Sequence, residues 1–223
     1  MDISILETKA TLIAEDSVFR DLVRTENTES GTFFVNVMAS PGSGKTTFLK
    51  RTIEELKQDL RIGVIEADAD GDVDARLLTG IADEVIQVHT GGSCHMDAKM
   101  TLDGLRALNR DRLDLVFLEN IGNLVCPAEF DTGADVNVVI LSVPEGDDKP
   151  LKYPLMFEVA DIVLVNKIDV KPVFDFSDQR FESNVRLRND HAPILYLSAK
   201  TGEGFEKWIR LIRSVMREKR SAR

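Results

Sequence analysis

The chain has 223 residues, a net charge of −10, 43% apolar and 30% charged residues, and two cysteines. This is a globular balance with material for one large domain, or a domain plus an arm. The acidic excess lacks the basic footprint of a duplex-binding protein, two cysteines cannot build a disulfide framework, and no apolar run approaches the ~18 residues of a membrane span. Met1-Asp2-Ile3-Ser4 lacks the basic-then-apolar pattern of a secretory signal. A cytoplasmic protein is expected, with no nucleic-acid partner and no membrane insertion.

Apolar pairs recur from Ile5-Leu6 through Leu12-Ile13 and Val18-Phe19 to Leu22-Val23, a spacing that predicts an amphipathic helical arm. Asn27–Gly31 is polar and ends in glycine, so residues 1–30 read as arm and linker and 31–223 as the domain proper. Beyond that point β-branched runs alternate with amphipathic stretches. The strand candidates are Phe33–Met38, Ile62–Glu66, Val85–Val88, Leu115–Glu119, Val136–Val143, Ile162–Asn166 and Ile194–Leu197. The helix candidates include Thr46–Gln58, Met96–Asn109 and Gly204–Lys219. Strands apolar at nearly every position are buried on both faces. The expected fold is therefore α/β, a mostly parallel doubly wound sheet with helices on both faces and an N-terminal helical arm. In such sheets ligands lie beyond the carboxyl ends of the strands.

The first strand runs into Ala39-Ser40-Pro41-Gly42-Ser43-Gly44-Lys45-Thr46-Thr47, a Walker A loop with Ala39 in place of its first glycine. Glycines let backbone N–H groups point at phosphate oxygens, and the helix N-terminus that follows favours negative charge. Lys45 would reach the β- and γ-phosphates and the Thr46 hydroxyl would bind Mg2+. After the second strand, Asp68-Ala69-Asp70-Gly71-Asp72 has the look of a calcium loop, but Val73 stands where the sixth-position glycine belongs. A magnesium-facing switch is the better reading, with Asp68 and Asp74 as its carboxylates.

Cys94-His95 lies between the third strand and the next helix, and Cys126 follows the fourth strand. Thiolate and imidazole are zinc or nickel ligands. Two buried thiols and a helix N-terminal histidine form the plainer alternative. His89, ending a strand, reads as structural. The fourth strand leads into Glu119-Asn120-Ile121-Gly122, where many GTPases carry Asp-x-x-Gly. Glu119 would act on magnesium and the Gly122 N–H would sense the γ-phosphate. Asn123 follows Gly122 where a glutamine could orient water, so slow turnover is expected.

The sixth strand ends in Asn166-Lys167-Ile168-Asp169. Asp169 can accept from guanine N1–H and N2–H together, donors that adenine lacks. Lys167 would cover the purine face and Asn166 would brace the loop. Ser198-Ala199-Lys200 after the seventh strand resembles the second guanine loop of GTPases, in which the Ala199 N–H would meet guanine O6. The cationic residues from Lys207 to Arg220 read as a solvated helix face, and Trp208 as a packing residue.

Three blocks carry a resemblance: Cys94–Ala98, Glu119–Ala128 and Glu145–Pro154. Together they resemble the HypB family, the nickel-insertion GTPases of hydrogenase maturation, and the likeness spans nearly the whole chain. The resemblance implies GTP and Mg2+ as cofactors and Cys94, His95 and Cys126 as ligands for Ni2+ or Zn2+ at a subunit interface. It also implies a homodimer promoted by GTP, a small nickel- and zinc-binding maturation partner, and the hydrogenase large subunit as recipient. With 3 His and no Cys-rich N-terminal motif in this chain, nickel storage is not expected. A GTP-gated metal sensor with negligible turnover, or a metallochaperone GTPase for urease, are the alternatives.

Overall fold

Among the described residues, seven apolar runs become seven parallel strands, β1 (Phe33–Ala39), β2 (Ile62–Asp68), β3 (Glu84–His89), β4 (Leu115–Glu119), β5 (Val136–Ser142), β6 (Ile162–Asn166) and β7 (Ile194–Tyr196). The computed structural model describes residues 8–68 and 73–222, with the side chains of 8–15, 68, 73–74, 111 and 222 outside that description. The strand order is β3-β2-β4-β1-β5-β6-β7. The helices are α1 (Thr8–Ser30), α2 (Lys45–Leu56), α3 (Val73–Leu78), α4 (Ala98–Ala107), α5 (Cys126–Glu129), α6 (Lys149–Lys152), α7 (Pro154–Glu158), α8 (Asp178–Arg186) and α9 (Phe205–Ala222). The central strand β1 has β4 on one side and β5 on the other, so the chain reverses direction across the sheet there. The crevice for a ligand opens at the carboxyl end of β1.

The two-residue period of each strand sorts side chains to opposite faces. Phe33, Val35 and Val37 pack with Phe48, Leu49 and Ile53 of α2 and with Trp208 and Ile212 of α9. Trp208 is fully buried and its indole N–H donates to the Thr52 hydroxyl at 3.0 Å, which is the packing role its sequence context suggests. The other face carries two separate apolar clusters. One joins Val23 of α1, Phe34, Ile65, Leu102, Leu105 and Val116. The second joins Met38, Val139, Leu141, Met156, Phe157 and Phe181. Between Phe34 and Met38 on β1 stands Asn36, buried, which donates to Asn137 of β5 at 3.0 Å and accepts from Asn120 at 3.1 Å. This polar seam divides the face, and each amide in it is satisfied by the next, as burial demands.

The segment Asn27–Ser30, read as linker from its polarity, is instead the last turn of α1. Thr28 returns its hydroxyl to the Arg24 carbonyl at 2.8 Å, and Asn27 is buried and accepts from Arg110. Gly31 ends the helix at φ +72, a left-handed conformation that glycine adopts without strain. Within each of the apolar pairs Val18-Phe19 and Leu22-Val23, one member packs inward (Phe19, Val23) and the other is exposed (Val18, Leu22). The pairs Ile5-Leu6 and Leu12-Ile13 lie outside the described residues or side chains. The helix is further held by Asp16, which accepts from the Ala98 N–H at 2.8 Å, and by Glu26, which pairs with Arg106 and Arg110.

The guanidinium of Arg106, then that of Arg110, holds the Glu26 carboxyl below the usual carboxylate range. A depressed folded value means the pair stabilises the fold above the ordinary carboxylate range and is lost as pH falls through the folded value. Glu26→Gln is expected to lower stability by roughly 1 kcal/mol at neutral pH in low salt. Chemical denaturation of both proteins from neutral into acid should show that gap closing; a gap that persists in acid would refute the ion-pair assignment.

Candidate functional site

β1 delivers Ala39 to the crevice, and the chain then turns through Gly42 (φ +74) and Gly44 (φ +97) before α2 begins at Lys45. These left-handed glycines let the loop fold back over the helix N-terminus. Gly44 is also required by crowding, since a Cβ there would stand 2.7 Å from Asn166 Nδ2. An open cavity of about 630 Å³ follows the loop, lined by Gly42, Gly44, Lys45, Thr46, Thr47, Glu119 and Lys167 among others. A smaller one of about 250 Å³ is walled by Pro41, Lys45, Glu66, Glu119 and Gly122. Of the phosphate-loop residues expected from sequence, Pro41, Gly42, Gly44, Lys45, Thr46 and Thr47 line these cavities, and Ser43 is buried behind them.

Thr46 Oγ1 donates to Glu119 Oε1 at 2.8 Å, and Glu119 is buried. Two hard oxygens from opposite sides of the crevice are a donor set suited to Mg2+. The backbone of Asp68 pairs with His89 at the end of β2, but the side chains of Asp68 and Asp74 lie outside the described ones, as do Asp70 and Asp72 entirely. Gly122 packs on the phosphate loop; a Cβ there would lie 3.1 Å from three atoms of Pro41. Only glycine permits that approach without a shift.

The segment read from sequence as the base side is built on Asn166. Its Nδ2 donates to the Ser43 carbonyl at 2.9 Å and its Oδ1 accepts from the Ala199 N–H at 3.0 Å. The Ala199 N–H, expected to meet guanine O6, is given to the Asn166 carboxamide here, which braces the loop that carries it. Lys167 lies across the phosphate loop with Nζ 2.6 Å from the Gly42 carbonyl, at φ +62. It is the one non-glycine residue with positive φ among the described residues. Strain of this kind gathers at functional sites. Ser198 Oγ donates to Asp169 Oδ1 at 2.6 Å, which aims the half-buried carboxylate, while Lys200 is exposed at the rim.

Cys94, His95 and Cys126 converge, their ligand atoms all within 4.8 Å of one another. The two sulfurs are free thiols 2.7 Å apart. A tetrahedral ion with ~2.3 Å metal–sulfur bonds needs sulfurs roughly 3.8 Å apart, so about an ångström of opening would admit one. His95 Nδ1 lies 3.3 Å from Ser93 Oγ, and the ring stacks on Phe130 with centroids 3.7 Å apart. Burial holds the imidazole pKa below its ordinary value against the pull of the Asp97, Asp16 and Glu129 carboxylates, which favours the neutral, ligating form. The hydrogen bond with Cys126 raises the Cys94 thiol pKa. His89 is exposed and outside the cluster.

Several residues escaped the sequence reading. Arg51 of α2 donates to the carbonyls of Ala199 at 2.8 Å and Lys200 at 3.1 Å, clamping the loop after β7. Glu145 caps Ser142 and accepts from Ser40 of the phosphate loop. Glu66, buried in the wall of the smaller cavity, sits in register with Glu119 on the adjacent strand. Phe130 orients His95. An acidic residue within the apolar β2 run was a signal for Glu66; Arg51 and Phe130 carry no motif.

Residues 33–196 match the family described as CobW/HypB/UreG, nucleotide-binding domain. The chain is 41% identical over 202 residues to the hydrogenase maturation factor HypB of Rhizobium leguminosarum bv. viciae, covering 91% of this chain and 68% of that protein. It is 32% identical over 216 residues to the probable hydrogenase maturation factor HypB of Methanocaldococcus jannaschii, covering 97% of this chain and 98% of that one. The crystal structure of HypB from Helicobacter pylori in complex with nickel aligns with a TM-score of 0.87 at 34% identity, over 92% of this chain and 96% of that chain. Other HypB relatives are longer, and the chain spans 60% and 58% of the length of two of them. Strand order, phosphate loop and sequence kinship agree: the chain belongs to the CobW/HypB/UreG family of P-loop nucleotide-binding proteins, within its HypB group.

Proposed function

We propose that this protein is a magnesium-dependent GTPase that couples GTP binding, dimerisation and hydrolysis to nickel delivery during maturation of nickel–iron hydrogenase. The observation that carries the reading is the segment 119–126. It begins at Glu119 against Thr46 of the phosphate loop and ends at Cys126 against Cys94. One short stretch of chain thus belongs to the nucleotide site at one end and to the thiol–imidazole cluster at the other.

In this reading the backbone of Pro41–Thr47 and Lys45 cradle the phosphates, Asp169 selects guanine, and Lys167 covers the base. Asn166, Ser198, Ala199 and Lys200 shape the base loop. Thr46 and Glu119, with Asp68 and Asp74 as further candidates, would hold Mg2+, which supplies charge neutralisation at the phosphates when bound. The Gly122 N–H senses the γ-phosphate, from a position where an added Cβ would crowd Pro41 of the phosphate loop. Cys94, His95 and Cys126 carry Ni2+, or Zn2+ in its place, as cargo. Three protein ligands leave a tetrahedral position open for a second subunit or for transfer. The kinship to hydrogenase maturation factors supports a small nickel- and zinc-binding maturation protein and the hydrogenase large subunit as partners. Turnover is slow because Asn123 follows Gly122 in place of a water-orienting glutamine.

Asp169→Asn is expected to cost roughly 1–3 kcal/mol or more of guanine-nucleotide affinity, the price of a mismatched donor against N1–H and N2–H. Competition between GDP and xanthosine diphosphate reads it, because the variant amide suits the xanthine carbonyl; an unchanged preference for GDP would remove Asp169 from the base site. Cys94→Ala should abolish tight Ni2+ binding in equilibrium titration while leaving GDP binding intact. Unchanged stoichiometry and affinity for Ni2+ would refute the cluster as the cargo site. Phosphate release followed over hours separates a GTPase from a GTP-gated sensor, which would release none.

A further inference from the structure

We propose that Asn123 is the positioning residue through which the nucleotide state sets the geometry of the Cys94–His95–Cys126 cluster, with Asn120 anchoring the opposite side of the same loop. The inference rests on the reading above that the cluster carries metal and the crevice carries GTP, and it names the atoms that join them.

Asn123 has three attachments. Its backbone N–H donates to the carbonyl of Ala39, the first residue of the phosphate loop, at 2.9 Å. Its Oδ1 accepts from the Val125 N–H at 2.8 Å, closing the turn that presents Cys126. Its Nδ2 points at the Cys94 carbonyl at 3.5 Å. The residue before it, Gly122, faces Pro41 so closely that a Cβ there would lie 3.1 Å from it. Any displacement of Gly122 by a γ-phosphate must therefore move Asn123, and Asn123 holds both thiol-bearing loops.

The bonds are unequal, and the inequality assigns the moving part. The ties to Ala39 and Val125 have ordinary hydrogen-bond lengths, whereas 3.5 Å stands at the outer limit for such a bond. A shift of a few tenths of an ångström closes or breaks the bond to Cys94 and leaves the other two intact. Asn120 holds the far side of the Cys94 loop, its Oδ1 accepting from the Met96 N–H at 3.3 Å and its Nδ2 donating to Asn36 in the buried seam. With Met96 anchored to β4 and Cys126 carried by the turn, changing the Asn123–Cys94 distance changes the separation of the two sulfurs.

The test uses the full chain and Ni2+ as the probe, titrated in the presence of Mg2+ with either GDP or a non-hydrolysable GTP analogue. The wild-type protein should bind Ni2+ with affinities differing about tenfold between the two nucleotide states, and Ni2+ should shift the nucleotide affinities by the same factor. Asn123→Asp keeps the acceptor for Val125 and deletes the donor to Cys94; Asn123→Ala deletes both. Both variants should still bind Ni2+ and GDP but bring the affinity ratio to near one. The added charge of Asn123→Asp acts on Ni2+ in both nucleotide states, so the ratio isolates the lost bond. A wild-type ratio retained in both variants would overturn the assignment of Asn123 alone. A wild-type ratio of one would overturn the assignment together with the proposed coupling of GTP to metal.

Discussion

The carboxamide of Asn166 is the fastening on which the nucleotide crevice depends. It ends β6, gives its N–H to Ser43 of the phosphate loop and takes the N–H of Ala199 after β7. Three loops that leave three different strands are thereby fixed relative to one another before any ligand arrives. A buried amide with both ends engaged resists displacement, because freeing either end leaves a desolvated polar group at a cost of about 1–3 kcal/mol. Position 44 admits no side chain, because the Asn166 amide occupies the space a Cβ would need. Arg51 adds a second layer by holding the carbonyls of Ala199 and Lys200 from the α2 side.

The opposite wall of the crevice joins the phosphate loop to the cysteines. Glu119 meets Thr46, Gly122 meets Pro41, and within four further residues the same chain supplies Cys126. Apolar clusters lie on both sides of this region but do not merge, because the Asn36–Asn120–Asn137 seam separates them. A seam of directional hydrogen bonds has discrete arrangements, whereas an apolar core of the same size would simply be packed. The arm takes part too: Asp16 of α1 binds the Ala98 N–H at the start of α4, immediately after the Cys94–His95 loop. The N-terminal helix is therefore part of the scaffold around the cluster.

Much of this was legible in the chain itself. The strands were readable because residues buried on two faces leave little freedom of type, as in Phe33–Ala39 and Val136–Ser142. The phosphate loop and the Asn166–Asp169 tetrad were readable because phosphate and guanine chemistry demand particular groups at particular spacings. The last turn of α1 was misread because Asn27, Thr28 and Ser30 are turn-forming residues whose helical state depends on burial against Arg110 and on hydroxyl bonds to helix carbonyls. The bond from the Ala199 N–H to Asn166 was not legible, because a backbone donor's partner is set by whichever acceptor the fold brings to it.

The sequence by itself determined the alternation of strand and helix, the parallel sheet, the phosphate loop, and the identities of Cys94, His95 and Cys126. These are properties of local pattern and of residue type. Only the tertiary structure decided that Cys94 and Cys126, separated by 31 residues in the chain, stand in contact, that Phe130 stacks on His95, and that Asn120 and Asn123 reach the loop bearing Cys94. The physical reason is the parallel topology. It brings the carboxyl ends of β3 and β4 to one edge of the sheet with β2 between them, so loops distant in sequence meet there. Their contacts follow from that crossing and not from any spacing along the chain.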